Sequence, residues 1–379
     1  MAEFSKAELE RYSRHIIIPE FNIEGQRKLK AAKVLVVGSG GLGSPLLLYL
    51  AAAGVGTIGI IDFDVVDDSN LQRQVLYDTD SIGQYKVEAA KERLLGLNPH
   101  ISIITHNTAL TSENALEIIK DYDIVADGTD NFPTRYLVND ACVLLNKPNV
   151  YASIYRFEGQ VSVFNYTDSA GKKYPHYRDL FPTPPPPELV PNCAEGGVLG
   201  VLPGIIGSLQ ANEVIKVITG IGEPLAGRLF IFDALSFITR TLKIPKNPNT
   251  PKITKLIDYQ QFCGIVPEEN KISSIKEITV QDFHQLQTQS ADFQLIDVRQ
   301  PYEYDIVHLN GELIPLASIL EYKDKIATDK QVIIHCRSGK RSADAIQQLQ
   351  ENFGLNNLYN LKGGILAYAR EIDNTLPTY

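Results

Sequence analysis

Cysteine is scarce in this chain, with four in 379 residues. That is too few for a disulfide framework, so the expectation is reduced thiols in a cytoplasmic protein. Basic residues are not in excess either. Thirty-six Lys and Arg face 45 Asp and Glu, a net charge of -9, which gives no electrostatic support to nucleic-acid binding. The deficit is spread out, at 10 against 14 in residues 273–379 and 26 against 31 before them, so neither end is a charged tail. No short-period repeat is present. The N-terminal MAEFSKAELERYSRH is charged throughout and is not expected to be a signal peptide. One uncharged run, Val34–Ile61, is long enough to mimic a membrane span. Seven glycines and Pro45 divide it into strand, loop, helix and strand. It is therefore read as a βαβ unit buried on both faces, with no membrane partner.

The chain does have an ordinary globular composition, 44% hydrophobic and 21% charged. Its length suggests two or three domains. The first 30 residues read as helical, with an arginine-bearing element at Arg11–Ile18. Strand Lys33–Val37, helix Ser44–Ala53, strand Thr57–Asp62, helix Lys86–Leu95, strand Ile101–Asn107, helix Ser112–Lys120 and strand Tyr122–Asp127 follow. Such alternation predicts an open, doubly wound parallel sheet. Strands Asn149–Tyr155 and Gly159–Phe164 come next. Asn165–Asn192 carries TPPPPELVP and is read as an irregular, mobile crossover. An apolar helical stretch, Val198–Ile218, precedes a block ending near Ile244. Residues 245–271 are linker-like, and a second αβ pattern runs over 272–379.

Gly38-Ser39-Gly40-Gly41-Leu42-Gly43 fits G-x-G-x-x-G between a strand and a helix. There, glycines let the backbone approach phosphate oxygens, and the helix N-terminus offers N–H donors. Asp62 lies 19 residues after Gly43 at a strand end, where a carboxylate can hold ribose hydroxyls. Asp64, Asn70, Arg73, Gln74 and Lys86 follow closely, and Gly128-Thr129-Asp130-Asn131 succeeds another strand. Cations with a carboxylate suited to Mg²⁺ match what attack on a phosphate requires, since charge grows on the oxygens in the transition state. The rival readings are an NAD(P)-linked oxidoreductase with an appended redox sensor and a non-catalytic carrier-binding scaffold. The cations and Asp130 argue against the first, and intact Arg73, Lys86, Asp130 and Cys336 against the second.

RYSRHIIIPEFNIEGQRKL, VGSGGLGSP, IDFDVVDDSNLQRQ, IGQYKVEAA and DGTDNFPTRYLVND resemble the E1-like adenylating enzymes of the MoeB/ThiF/HesA family over about residues 5–244. The resemblance implies a Rossmann-like α/β adenylation domain (1–244). It also implies an activity, adenylation of the C-terminal glycine of a ubiquitin-fold sulfur carrier (MoaD- or ThiS-like) with ATP, releasing pyrophosphate. Gly38, Gly40, Gly41 and Gly43 would line the phosphates and Asp62 the ribose. Arg73 and Lys86 would neutralise phosphate, Asp130 would hold magnesium, and Arg14 would reach in from the other subunit of a homodimer.

The cysteines divide by setting. Cys193, in PNCAEGGVLGVLPG, resembles the family's crossover cysteine, a thiol able to attack an acyl adenylate or accept carrier sulfur. Many family members hold a structural zinc with two Cys-x-x-Cys pairs. Here His176 and Asp179 replace the first pair, and Gln260 with Cys263 stands for the second. Gln260 is a poor ligand, so no structural zinc is expected, and another contact should join these segments. Cys142 reads as core. Cys336-Arg337-Ser338-Gly339-Lys340-Arg341-Ser342 follows a buried strand and precedes a helix, a setting of backbone N–H groups and cations that favours a reactive thiolate. Arg341 falls one residue short of a phosphatase C-x₅-R, so a sulfur-sized substrate fits better than phosphate.

With FQLIDVRQPYEYDIVHLNGELIPL and LKGGILAY, residues 272–379 resemble a rhodanese domain, with Val307 and Tyr368 departing from its usual Gly and Trp. The resemblance implies a persulfide on Cys336, with Asp297 and Arg299 supporting the loop. His335 is expected to turn into the core, by strand alternation. The combined expectation is an ATP-dependent adenylyltransferase and sulfurtransferase serving molybdopterin or thiamine synthesis. Its partners would be a Gly-Gly-ending carrier and a sulfur donor such as a cysteine desulfurase.

Overall fold

The computed structural model describes residues 4–185, 197–264 and 275–379. It divides into two compact units, Met1–Val266 and Pro267–Tyr379. The first is built on eight strands: β1 Lys33–Val37, β2 Thr57–Ile61, β3 Ser102–His106, β4 Ile124–Asp127, β5 Asn149–Tyr155, β6 Glu158–Phe164, β7 Arg228–Asp233 and β8 Ile238–Lys243. Their order across the sheet is β3-β2-β1-β4-β5-β6-β7-β8. The run Val34–Ile61 resolves into β1, the helix Gly43–Ala53 and β2. Along β1, Val34 and Val36 enter one core cluster while Leu35 and Val37 enter the other. This alternation buries the sheet on both faces, as a doubly wound fold demands.

The chain moves outward from β1 to β3 and returns to place β4 on the other side of β1. That puts a topological switch point between the C-terminal ends of β1 and β4, where open α/β sheets bind ligands. Only β3 through β5 run parallel in this sheet; β6, β7 and β8 pair antiparallel. The turn at Arg156-Phe157, with Arg156 at φ 53°, joins β5 to β6. So short a connection cannot make a parallel crossover.

Two segments differ from expectation. Within the crossover, Tyr177 and Arg178 are buried in a short helix, Tyr177–Leu180, so its first half is anchored; its residues 186–192 lie outside the described residues. In the expected linker, residues 245–264 pack on the first unit. Tyr259 and Cys263 join its core, with Leu256, Ile257 and Phe262 against it. The Pro and Asn spacing signalled irregular backbone, and these apolar side chains gave that backbone a surface to bury against.

The apolar helix Val201–Thr219 has the length and composition to cross a membrane. Here it places Leu202, Ile206, Gln210 and Val214 in the domain interior, with Gln210 Nε2 donating to the carbonyls of Asp127 and Val150 at 2.8 Å each. The second unit contains β9 Lys276–Ile278, β10 Phe293–Asp297, β11 Glu312–Leu313, β12 Gln331–His335 and β13 Leu358–Leu361. All pairings are parallel, in the order β11-β10-β12-β13-β9. Helix Lys340–Phe353 covers the sheet with Ser342, Ala345, Ile346 and Leu349, a helical stripe three to four residues apart.

Candidate active sites

The glycine loop leaves β1 at Gly38 (φ 87°), whose N–H donates to the Ile61 carbonyl at 2.9 Å. Gly43 opens the following helix so close to Gly38 that a Cβ there would lie 2.1 Å from the Gly38 carbonyl oxygen. No larger residue fits this turn. No side chain caps the helix Gly43–Ala53 at its start. Ser44 N donates to the Gly40 carbonyl at 2.8 Å, Leu46 N donates to the Leu42 carbonyl, and Pro45 has no N–H, so the N–H groups left for an anion are those of the glycine turn itself. Asp62 sits at the end of β2 and accepts from Ser39 N and Ser39 Oγ, both at 2.9 Å. Asp64 N donates to its other oxygen at 3.0 Å.

The expected cations gather beside this loop. A Cβ at Gly41 would lie 3.6 Å from Arg73 Cγ and 3.2 Å from Pro203 Cβ, and one at Gly40 would lie 3.6 Å from Gln74 Nε2. The Asn70 carbonyl accepts from the backbone N–H groups of Arg73 and Gln74, which fixes the turn bearing both side chains. Arg73 Nη1 donates to the Ser69 carbonyl at 3.1 Å. Lys86 is 5% exposed, its Nζ 2.9 Å from Asp64 Oδ2. On the other side, a Cβ at Gly38 would lie 3.3 Å from the Gly128 carbonyl, so the turn after β4 abuts the loop. Asp130 is exposed just beyond it, and Asn131 caps the helix Phe132–Leu144 through Thr134 N. Arg14 is exposed on the helix Ser13–Ile16, with no contact to the glycine loop among the described residues.

Behind this turn, Asp127 is fully buried, with Oδ1 accepting from Thr129 N and Oγ1. Burial raises its pKa, opposed by the nearby Arg135 guanidinium and Thr129. Arg135 in turn donates to the Thr129 carbonyl at 3.0 Å. Sequence reasoning did not identify Tyr77, whose hydroxyl reaches Ser39, or this Asp127–Arg135 support. Only the DGTDNFPTR spacing hinted at the latter.

Cys193 lies outside the described residues. Gly200 packs against the turn that carries Arg73, since a Cβ there would meet Gln72 Oε1 at 2.4 Å. His176 and Asp179 form a capping box, and Asp179 Oδ1 accepts from Asn247 N and Thr250 Oγ1. Asp179 thus ties 176–180 to the segment following β8. A stronger tie runs through Asp140. It accepts from Arg178 Nε at 2.8 Å, Arg178 Nη2 at 2.6 Å and Tyr259 OH at 2.8 Å. Arg178 also lies over the Phe262 ring at 4.5 Å. Cys263 is buried nearby, which pushes its thiol pKa up to about 11. Cys142 is fully buried in the core, and its thiol pKa is raised for the same reason.

In the second unit Cys336 immediately follows β12 and is 1% exposed. Gly339 N donates to its Sγ at 3.1 Å, and Ser342 Oγ lies 3.4 Å from it and 2.6 Å from Asn360 Oδ1. Gly339 (φ 96°) starts the helix Lys340–Phe353 without a side-chain cap. The Cys336 and Arg337 carbonyls accept from Ile365 N and Leu366 N, so GGIL holds the loop's outer backbone. A Cβ at Gly364 would fall 2.5 Å from the Cys336 carbonyl oxygen.

One expectation changes here. Arg341 is shared with a carboxylate: both terminal nitrogens bind Glu303 at 2.7 Å while the guanidinium still interacts electrostatically with Cys336. Glu303 had no signal beyond its place in a capping box with Gln300. Asp297 and Arg299 are fully buried and paired at 2.6 Å, and Arg299 Nη2 also donates to the Val307 carbonyl. Val307 is extended (φ -161°), so the residue there need not be glycine. Tyr368 OH meets Gln287 Oε1 at 3.0 Å. His335 is fully buried, its Nε2 3.6 Å from Asp297 Oδ2, as alternation predicted.

A ThiF family model matches residues 12–252 and a rhodanese-like domain model matches residues 279–371. The probable adenylyltransferase/sulfurtransferase MoeZ of Mycobacterium tuberculosis is 48% identical over 379 residues, covering 99% of this chain and 96% of that protein. The adenylyltransferase and sulfurtransferase MOCS3 of Drosophila yakuba is 44% identical over 392 residues, covering 98% and 85%. Among solved structures, E. coli MccB with ATP aligns at TM-score 0.55 and 26% identity, over 63% of this chain and 73% of that one. With two domain families matched in order, and relatives spanning the whole chain, this protein belongs to the ThiF family of adenylyltransferases, joined in one chain to a rhodanese-like sulfurtransferase domain.

Proposed function

We propose that the first unit uses ATP to adenylate the C-terminal glycine of a ubiquitin-fold sulfur carrier, and that the second delivers sulfur to the activated carboxyl. One observation carries the reading: a single chain holds both a glycine turn flanked by Arg73 and Gln74, with Lys86 paired to Asp64 two residues past Asp62, and a thiol that accepts a backbone N–H. In this reading the carrier carboxylate attacks the α-phosphorus and pyrophosphate leaves. Gly38, Gly40, Gly41 and Gly43 line the phosphates, Asp62 takes a ribose hydroxyl, and Arg73 and Lys86 offset the negative charge. The exposed carboxylate of Asp130 would hold a magnesium ion, which would supply charge compensation to the phosphates. Arg14 completes the site of a second copy, in a homodimer. The Asp140–Arg178–Tyr259 contact takes the place of the family zinc.

The outer sulfur of a Cys336 persulfide, loaded by a donor such as a cysteine desulfurase, then attacks the acyl carbon and AMP leaves. A second thiolate, for which Cys193 is the candidate, then attacks Cys336 Sγ of the resulting acyl disulfide. The thiocarboxylate leaves, and the disulfide formed between the two cysteines is reduced by an external dithiol before the next cycle. The product would feed molybdopterin or thiamine synthesis in the cytoplasm. ATP–pyrophosphate exchange with carriers ending in Gly-Gly tests the first step: it should require the carrier and collapse in Asp130→Ala. Exchange without any carrier would overturn the reading. Cyanide-trapped sulfur transfer should vanish in Cys336→Ala while exchange persists.

A further inference from the structure

Tyr77 lies four residues beyond Arg73, at the end of the turn that carries the phosphate-facing side chains. It is 7% exposed and belongs to the core cluster under the glycine loop. Its hydroxyl is 2.7 Å from Ser39 Oγ and 3.0 Å from the Ser39 carbonyl oxygen. Ser39 Oγ is in turn 2.9 Å from Asp62 Oδ2. Each hydroxyl has one proton: Ser39 Oγ donates to the Asp62 carboxylate, which can only accept, and Tyr77 donates to Ser39, shared between Oγ and the more distant carbonyl oxygen. Burial raises the Tyr77 pKa well above the usual phenol range, so the proton stays in place.

A carboxylate has about four acceptor positions. At Asp62, Ser39 N and Ser39 Oγ fill both positions on Oδ2, and Asp64 N fills one on Oδ1. One position remains, on Oδ1, with its direction set by the other three bonds. We infer that Tyr77 is a positioning residue for nucleotide recognition, holding Ser39 so that Asp62 offers a single fixed acceptor to one ribose hydroxyl. The inference rests on the assignment of Asp62 to the ribose. It adds that the sugar selectivity of the site depends on a residue that never touches the nucleotide.

The test compares ATP, 2′-deoxyATP and 3′-deoxyATP, with dissociation constants from calorimetry and KM and kcat from carrier-dependent exchange, all on the full chain. The wild type should discriminate against one of the two deoxy analogues. In Tyr77→Phe the Kd and KM for ATP should rise about three- to tenfold, the loss of one hydrogen bond. Discrimination should fall by a similar factor, and kcat at saturating ATP should hold. Ser39→Ala should reproduce this, and the double variant should add nothing further. A merely structural role would weaken all three nucleotides alike and leave their ratios unchanged, which overturns the inference. Asp62→Asn separates the two layers. If it loses discrimination while Tyr77→Phe keeps it, the inference alone fails; if it too keeps discrimination, the ribose assignment fails and the inference falls with it.

Discussion

Replacing Asp140 by alanine should destabilise the first unit far more than the loss of one surface ion pair. The carboxylate is 2% exposed and accepts four hydrogen bonds, two from Arg178 and one each from Tyr259 and Asn139. Arg178 cannot give up its charge, and 8% of its side chain reaches solvent. Removing one member of such a pair leaves the other buried and uncompensated, at a cost of about 3–5 kcal/mol. For a domain of this size each kcal/mol lowers Tm by roughly 2–4 °C, so a drop of about 6–20 °C is expected by calorimetry. Asp140→Leu combined with Arg178→Met removes both charges and should recover more than half of that drop. A fall below about 3 °C in Asp140→Ala would refute the reasoning, because water would then be satisfying Arg178. A wild-type Tm that drops on adding a chelator without ATP would refute it differently, by showing a metal between these segments.

Gly43→Ala puts a methyl against the Gly38 carbonyl and should weaken ATP binding at least about tenfold by calorimetry; wild-type affinity would contradict the close approach. Gly364→Ala, at φ 59° and against the Cys336 carbonyl, should abolish cyanide-trapped sulfur transfer while carrier-dependent exchange continues. Burial holds the His335 pKa down at about 4, against 6.5 for the free side chain. Between those values the unfolded chain takes up a proton that the folded chain refuses. The stability is therefore whole above about pH 6.5 and is lost as pH falls toward 4, up to about 3 kcal/mol. His335→Phe should flatten that part of the pH–Tm curve, and an unchanged slope would count against it.

Much of this was legible because the signals are local. The strand Asn149–Tyr155 was readable to the residue, and β1, the glycine turn and the following helix were all announced by short-range pattern. What escaped depends on partners far along the chain. Arg178 sits in a stretch whose prolines predict an irregular, mobile crossover, yet it is anchored by Asp140, 38 residues earlier. Residues 245–264 read as a linker because no local pattern reveals that Tyr259 finds Asp140 at 119 residues' separation. Tyr77 shows the same limit at the site, since an aromatic residue among apolar neighbours reads as core. Its hydroxyl acquires a role only when folding brings Ser39, 38 residues away, within 2.7 Å.

The two reactive loops are one device set to different tasks. In each, a buried parallel strand ends, a glycine takes positive φ (Gly38 at 87°, Gly339 at 96°), and a helix begins with no side-chain cap. Both turns therefore bring the backbone of a glycine turn and a helix dipole to one point. In the first, no charge lies in the loop itself. Its cations come from separate elements, Arg73 on the turn after β2 and Lys86 at the next helix, so they can spread around an extended triphosphate. In the second, the point is already filled by Sγ, with Gly339 N donating to it at 3.1 Å, and the seventh loop position holds Ser342 instead of a guanidinium. Arg341, the cation best placed by sequence to serve a phosphate, is committed to Glu303 through two bonds. On the proposed function, the same strand–turn–helix would hold a phosphate chain when charge is supplied from outside, and a sulfur substituent when a buried thiol stands in the centre and Arg341 is shared with Glu303.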